Sequence, residues 1–388
     1  MDMENLQTHI RALAMLPATD APVVSCFVAL ENRRLKAPNL FDEQIRAVRT
    51  GLAGEMRRAL EEALQPVQAF LHHGLSSDAK GAAIFSRAGK EPFLMTIQCR
   101  VPLPNWTVVD RTPNIYHLVE LKDTYEQYVV MLATKESVRI IEMNLGAVTR
   151  HLSAEMPELR QGTGRKCSKE HYQKHLNERG HRFVKEQIRI LEQVMAAREH
   201  THLILAGHPA MTARVRGELP PGLLSRLVDV VRASDAGVVA ATIDAFIKAE
   251  EKESQTIAEK LVQQVRSGGL AVAGTAASFE ALQRNQADML VLLKTYAPGE
   301  IWVCQACGFM DPEAGRLAAC PECGSGELAC VDAKEQMVRF AERQLCAVEV
   351  VNESESLERM GGVGCLLRYR LAHEYRCERA SIPVSTAT

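Results

Sequence analysis

Two closely spaced pairs of cysteines in the C-terminal part of this chain constrain its fold more than any other feature. Cys304 and Cys307 form one Cys-x-x-Cys pair, and Cys320 and Cys323 form a second pair after twelve intervening residues. Such pairs, each followed by a glycine that permits a tight turn, can place four thiolates in the tetrahedron that a structural zinc ion prefers. Because four protein thiolates leave no position open for water, we expect structural zinc and no catalytic metal.

Two other interpretations of these cysteines stay open. A Cys-x-x-Cys pair is also typical of a redox motif, and four cysteines can be unconnected core residues. A redox motif does not need the second pair, so the spacing favours a zinc ribbon between residues 302 and 330. Cys330 breaks the spacing and is left out of the predicted ligand set.

Length and composition predict a globular protein of the cytoplasm. The chain has 388 residues, of which 46% are hydrophobic, enough to form more than one core. Eleven cysteines, an odd number, indicate a reducing compartment rather than a disulfide framework. The N-terminal residues show no signal-peptide pattern, and no apolar run reaches the roughly 18 residues of a membrane span. We therefore expect a cytoplasmic monomer without a membrane partner.

The order of the predicted helices and strands indicates an α/β (α+β) protein of three domains, each a sheet packed with helices. We place the domains at residues 1–124, 125–240 and 241–388, and the zinc ribbon is an insertion in the third. Four apolar runs in the third domain, separated by helical patterns, predict the strands of its sheet: LAVAGTA, MLVLLK, AVEVV and CLLRYR.

Several elements of the first two domains are also predicted from their patterns. The run VVSCFVAL at 23–30 is a strand, and apolar residues at steps of three and four, Met56 among them, form a helical stripe that faces the sheet. The runs at 128–134 and 137–144 flank a two-residue break, which is typical of a hairpin. The stretch 221–232 is predicted to be more helical.

A short basic loop in the central domain is the candidate nucleic-acid contact. Residues 160–169 read RQGTGRKCSK, with four basic side chains, two glycines and no acid. Cations on a flexible backbone can approach closely spaced phosphates, so RNA is the expected partner, although a solvated loop has the same composition. The predicted RNA-binding residues are Arg160, Gly162, Gly164, Arg165, Lys166 and Lys169.

Cys167, His171 and His175 follow this loop at steps of four, which places them on one face of a helix. A thiol beside an imidazole can act as a nucleophile, and a Cys/His ladder can hold a metal. Neighbouring lysines and the lack of an obvious orienting carboxylate favour a plain polar face near RNA.

The chain resembles the archaeal and eukaryotic class-1 peptide-chain release factors, a family related to Pelota and to the hibernation factor Balon. The segment GGVGCLLRYR at 361–370 is similar to the family's closing strand, and it follows a cysteine module inserted in an α/β domain. The hairpin at 128–144 and the helix ERGHRFVKEQIRIL are similar to elements of its central domain. The likeness runs in order over residues 20 to 370.

The departures from the family's motifs concern function. The helix alignment places Arg165, Lys166 and Cys167 where the family has Gly-Gly-Gln, the tripeptide that promotes hydrolysis of peptidyl-tRNA. The decoding tetrapeptide would fall at 49–52, which read RTGL, and the second stop-codon motif would fall near Asp110, Thr112 and Tyr116. The first motif is absent, and the second keeps only an aromatic residue.

The resemblance implies a tRNA-shaped factor that occupies the ribosomal A site without reading stop codons, in ribosome hibernation or rescue, with a translational GTPase as a partner. No residue is assigned as catalytic on this reading. Two alternatives stay open: a peptidyl-tRNA hydrolase in which Cys167 replaces the glutamine, and an RNA-binding protein that acts away from the ribosome.

Overall fold

A computed structural model describes residues 3–134, 136–155, 169–198, 200–304, 306–307, 309–311 and 318–369. The helices are α1 Met3–Met15, α2 Pro38–Gly51, α3 Gly54–His73, α4 Tyr116–Thr124, α5 Lys169–Ala197, α6 Pro209–Glu218, α7 Pro221–Leu224, α8 Val238–Arg266, α9 Thr275–Gln283, α10 Ala333–Arg343 and α11 Glu355–Glu358. The first strands are β1 Val23–Glu31, β2 Arg34–Leu35, β3 Gly81–Arg87, β4 Phe93–Cys99, β5 Trp106–Asp110, β6 Tyr128–Ala133, β7 Ser137–Asn144, β8 Ala147–Glu155, β9 His202–Gly207 and β10 Leu227–Val231. The later strands are β11 Ala271–Ala273, β12 Ala287–Leu293, β13 Glu300–Cys304, β14 Met310–Asp311, β15 Leu328–Asp332, β16 Ala347–Val351 and β17 Val363–Leu367.

The first sheet is antiparallel and is organised around β1. Strand β1 pairs with β2, β3 and β5, and β4 extends the sheet beyond β3. The apolar run of β1 is buried over nearly its whole length because helices cover the sheet. The predicted stripe is buried at Ile45 of α2 and at Leu60, Leu64 and Val67 of α3. Met56 does not belong to it, since 36% of this residue is exposed at the start of the helix.

The second sheet has the strand order β10-β9-β6-β7-β8, in which β6, β9 and β10 run parallel. The predicted hairpin of β6 and β7 is present, and β8 extends it. The helical prediction for 221–232 is wrong, because only the single turn α7 is helical and β10 follows it. The valines of LVDVV explain the strand, since β-branched side chains fit a pleated sheet better than a helix.

The third sheet has the order β11-β17-β12-β16, and each of its strands overlaps one of the four predicted runs. Glycines explain the shape of GGVGC before and within β17. Gly361 and Gly362 have φ angles of +97° and +74°, which favour glycine. A Cβ atom on Gly364 would lie 2.7 Å from the carbonyl oxygen of Val272, so glycine is what lets β11 approach β17.

Helix α10 links the first and third sheets through two buried charged side chains, which we name the α10 clamp: Glu335 and Arg339. The Glu335 carboxylate accepts hydrogen bonds from the backbone amides of Ile115 (2.6 Å) and Tyr116 (3.0 Å) at the start of α4. The Arg339 guanidinium donates to three carbonyl oxygens of the N-terminal segments, those of Ala14, Leu16 and Pro113.

One apolar cluster surrounds this clamp and includes Phe27 and Phe85 of the first sheet as well as Leu290 and Val291 of the third. The predicted mixed α/β class, with several sheets packed against helices, is therefore confirmed. Among the helices of the described ranges, none is both long and apolar enough to cross a membrane.

Candidate functional site

The four cysteines of the two pairs lie together on a small sheet of their own, with the order β14-β13-β15. Cys304 is the last residue of β13, and its amide donates a hydrogen bond of 2.8 Å to the carbonyl oxygen of Phe309 across the first turn. In the second turn the Cys320 amide donates to Ser325. Gly324 has a φ angle of +71°, so a glycine is required for the chain to turn there.

The sulfur atoms are arranged as metal ligands are. Cys304 Sγ lies 3.5 Å from Cys323 Sγ, and Cys307 Sγ lies 3.5 Å from Cys320 Sγ. All four sulfurs lie within 4.8 Å of one another. A tetrahedral zinc site with bonds of about 2.3 Å has sulfur–sulfur edges of roughly 3.8 Å, so the spacing fits a metal ion at the centre.

The protonation of these thiols shows why the cluster suits a cation. Backbone hydrogen bonds, foremost that from Cys307, lower the pKa of Cys304 to about 7. The backbone amide of Phe309 lowers the pKa of Cys307, but desolvation and the neighbouring thiols raise it to about 12. Four thiolates cannot share so small a volume without a positive charge between them, and a divalent metal supplies one.

The other cysteines of the described residues stand apart from the cluster. Cys330 lies on β15 and donates a hydrogen bond of 3.0 Å to Glu300, so it is not among the clustered ligands. Four more thiols are buried in the sheets: Cys26, Cys99, Cys346 and Cys365. All cysteines in the described part of the chain are free thiols.

The candidate RNA-binding residues fall outside what the structure describes. Arg160, Gly162, Gly164, Arg165 and Lys166 lie in 156–168, a segment between β8 and α5 that the described ranges omit. Lys169 is the first residue of α5, and its side chain is likewise outside the description, as are Cys167 and the side chains of His171 and His175. These assignments remain predictions.

The positions aligned with the family's decoding motifs have structural partners. Arg49, near the end of α2, makes a two-bond ion pair with Glu61 of α3 at 2.7 and 2.8 Å. Tyr116 begins α4, where its amide binds the clamp residue Glu335 and its ring lies 3.7 Å from the ammonium group of Lys334. Burial raises the pKa of Asp110.

Sequence analysis missed a group of carboxylates that meet where α4, α8 and β16 approach one another. We name it the acidic junction, and it comprises Asp123, Glu126, Glu250, Glu253 and Glu349. His202 of β9 is the adjoining imidazole, with Nε2 at 3.6 Å from Glu250 and 3.4 Å from Glu253. The Glu-x-x-Glu spacing of Glu250 and Glu253 on α8 was only a weak indication of a shared site. The other carboxylates are too far from α8 in the sequence for a local pattern to join them.

The fold and the cysteine cluster define an α/β protein of several sheets that carries a module able to hold a metal ion. Residues 113–251 match the model of bacterial archaeo-eukaryotic release factor family 10. This central segment, about a third of the chain, is therefore similar to that family. No curated protein sequence matches the chain.

Solved structures that align with the chain are distant in sequence. The archaeal translation termination factor aRF1 is 14% identical, with 95% of this chain and 99% of that chain covered and a TM-score of 0.26. Pelota of Archaeoglobus fulgidus is 11% identical, and the alignment covers 95% of this chain and 92% of that chain with a TM-score of 0.36. Dom34 of S. cerevisiae is 8% identical, and the alignment covers 76% of this chain and 82% of that chain with a TM-score of 0.39. At these values the likeness assigns no role to any residue of this chain.

Proposed function

We propose that the chain is a ribosome-binding translation factor that occupies the A site in place of a tRNA, in hibernation or rescue, without reading stop codons. The observation that carries this proposal is the family match over 113–251, because that segment includes the basic loop at 160–169. Cations in this loop would neutralise ribosomal RNA phosphates, and the release of their counterions would supply most of the binding free energy.

The same segment argues against peptide release. Where the family carries Gly-Gly-Gln, the chain reads Arg165, Lys166 and Cys167. Arginine and lysine adopt the backbone conformations that glycine permits only at an energetic cost, and no neutral amide side chain follows them. We therefore assign the protein a role of occupancy rather than hydrolysis.

The proposal extends to the organisation and partners of the chain. We assign a ribosome-facing N-terminal domain to residues 1–124, the RNA-contacting domain to 125–240 and the zinc-bearing domain to 241–388. A translational GTPase is the proposed protein partner, the cytoplasm is the compartment, and the chain acts as a monomer.

Binding to ribosomes tests the proposal directly. Arg165→Glu combined with Lys166→Glu reverses two charges of the loop, and we expect at least a tenfold loss of co-sedimentation with ribosomes at moderate salt, on the order of two lost phosphate contacts. The matched control is Arg284→Glu with Arg359→Glu, two exposed arginines of the third domain, which should bind as the unaltered chain does. Equal binding of the loop variant would contradict the proposed contact.

A release assay separates occupancy from hydrolysis. Ribosomes that carry a labelled peptidyl-tRNA are mixed with the chain, and we expect the peptide to stay attached. Should peptide be released, and should Cys167→Ala abolish release without weakening binding, the hydrolase alternative would replace this proposal. A chain that never sediments with ribosomes, even from starved cells, would act on RNA elsewhere.

We also propose that the metal of the cysteine cluster is structural zinc. Reduced protein purified without chelator should contain about one zinc per chain, as expected for four thiolate ligands. Cys320→Ser should lose the zinc and lower the melting temperature, because Cys320 is a buried member of the cluster. Cys330→Ser is the matched control and should keep the metal, since Cys330 lies outside the cluster. Zinc content well below one per chain would contradict the assignment.

A further inference from the structure

A large cleft opens between the cysteine module, helix α10 and the loop that follows β5. Its volume is about 660 Å³, within the range of roughly 300–1,000 Å³ that is usual for small-molecule sites. The walls come from parts of the chain that are far apart in sequence, from Ala18 to Arg343. The clamp joins these parts, because Arg339 donates hydrogen bonds to Ala14, Leu16 and Pro113.

Positive charge predominates among the ionisable side chains of the cleft. Arg111, Arg339 and Arg343 line it, and Glu322 is the one carboxylate in the lining. Arg111 lies on the exposed loop after β5, and Arg343 lies at the end of α10. Within the described residues, no carboxylate is within ion-pair distance of Arg111 or Arg343, so both guanidinium groups have unused capacity for an anion.

Two of the arginines are fixed in place by backbone carbonyl groups. Arg339 donates three hydrogen bonds to carbonyl oxygens, and Nε of Arg343 donates one of 2.8 Å to Ala14. Burial lowers the pKa of Arg343, and burial together with the charge of Arg343 lowers the pKa of Arg339 to about 10. An anion at this end of the cleft would relieve the repulsion between two pre-positioned cations.

The other lining groups suit a planar, hydrogen-bonding ligand. Phe309 and Phe340 are half-buried and present aromatic surface to the cleft. Gln283 and Gln336 add side-chain amides, and neither amide has a hydrogen-bond partner in the described part of the chain. Aromatic faces stack on nucleobases, amides bind base edges, and arginines bind phosphate in two-bond geometry.

We propose that this cleft binds a nucleoside phosphate, either free or as one residue of an RNA strand, with the phosphate at Arg111 and Arg343. A zinc ion bound by four thiolates would leave a net negative charge on the side of Cys304 and Cys307. This charge would repel the phosphate, so the phosphate would lie toward the arginines and the base toward the cysteine module. This inference goes beyond ribosome binding through the central loop and does not depend on it.

Fluorescence anisotropy and calorimetry on the full chain test the inference. The probes are a fluorescein-labelled single-stranded uridine RNA and adenosine monophosphate, and Arg165→Glu with Lys166→Glu is present throughout so that the central loop does not contribute RNA binding. Adding Arg111→Gln and Arg343→Gln should weaken binding at least about tenfold, because two charge-assisted contacts to phosphate are lost. Adding Arg284→Gln, which changes an exposed arginine directly after α9, should leave the affinity unchanged.

The two probes identify the source of the ligand. Tight binding of adenosine monophosphate points to a free nucleotide, whereas binding of the RNA with weak competition by the monophosphate points to a strand. The proposal is overturned if neither probe binds, if the Arg111/Arg343 variant binds as well as the Arg284 control, or if a glutamate-rich peptide binds in preference to both probes. Melting curves of the variants establish that a lost affinity is not lost folding.

Discussion

The α10 clamp and the acidic junction place ionisable side chains at contacts between elements that are distant in the chain, yet they do so in opposite ways. At the clamp, Glu335 receives two backbone amide hydrogen bonds and Arg339 donates to three carbonyl oxygens. Both side chains are almost fully buried, with 5% and 2% exposure. Burial raises the pKa of Glu335 to about 7, although the two amide hydrogen bonds and the charge of Arg339 oppose this rise.

The acidic junction gathers charges of one sign. Burial, and then the charges of Glu126, Glu253 and Glu349, raise the pKa of Glu250 to about 8. Burial and Glu349 raise the pKa of Asp123, although its carboxylate accepts a hydrogen bond of 2.9 Å from Val350. Backbone dipoles and an opposite charge therefore oppose the effect of burial at the clamp, whereas like charges add to the effect of burial at the junction.

Removal of the clamp arginine should have the largest effect on stability. Arg339→Ala leaves the carbonyl oxygens of Leu16 and Pro113 without this donor, while that of Ala14 keeps Arg343. The change also deprives buried Glu335 of a neighbouring cation, so we expect the free energy of unfolding to fall by about 3–5 kcal/mol. Urea denaturation at neutral pH measures it. Arg284→Ala, which removes an exposed ion pair at 2.8 Å, is the control and should cost less than about 1 kcal/mol. Similar losses for both variants would show that the clamp does not hold the sheets.

Neutralising Glu250 should have the opposite sign. Its pKa in the folded state is raised above that of an unfolded chain, so the folded state binds more protons and loses stability as the pH rises from about 4.5 to about 8. Glu250→Gln cannot lose a proton, and we expect it to raise the free energy of unfolding by roughly 2 kcal/mol above pH 8 and to flatten the pH profile.

Glu259→Gln serves as the control for this profile, because Glu259 lies on the exposed side of the same helix. Its pH profile should follow that of the unaltered chain. If Glu250→Gln destabilised the protein at pH 8, or left the slope between pH 5 and pH 8 unchanged, the carboxylates of the junction would not repel one another as described.

Lys122 lies between the two contacts and should show the smallest effect. Its ammonium group lies 3.2 Å from the buried carboxylate of Glu342. Burial raises the pKa of Glu126, and the charge of Lys122 opposes this rise. Lys122→Met should lower the free energy of unfolding by about 1 kcal/mol, because Gln7 still donates a hydrogen bond to Glu342. Lys260→Met, at an exposed position of α8, should be neutral in the same urea titration; a loss as large as that of Arg339→Ala would contradict this ranking.

Features set by neighbouring residues could be predicted from the sequence. The spacing of Cys304 to Cys323 already fixes two turns that bring four thiols together, and the alternation of apolar and polar segments gave the α/β class. The helical prediction for 221–232 is wrong beyond the single turn α7, because the strand β10 depends on its parallel partner β9, which a local pattern does not reveal.

The acidic junction and the cleft between the cysteine module and α10 could not be predicted from local sequence patterns. Asp123 and Glu349 meet only because α4 docks against β16, and Arg111 reaches the cleft only because α10 holds the loop after β5. In the sequence each of these residues looks like an ordinary solvated charge. Whether such charges meet is decided by packing between elements that are hundreds of residues apart.

An electron-microscopy map of the chain bound to the ribosome tests the central claim most directly. The account predicts density for the chain in the A site, with residues 160–169 beside the peptidyl-transferase centre and the peptidyl-tRNA ester intact. Density at another site, or residues 160–169 directed away from ribosomal RNA, would contradict it.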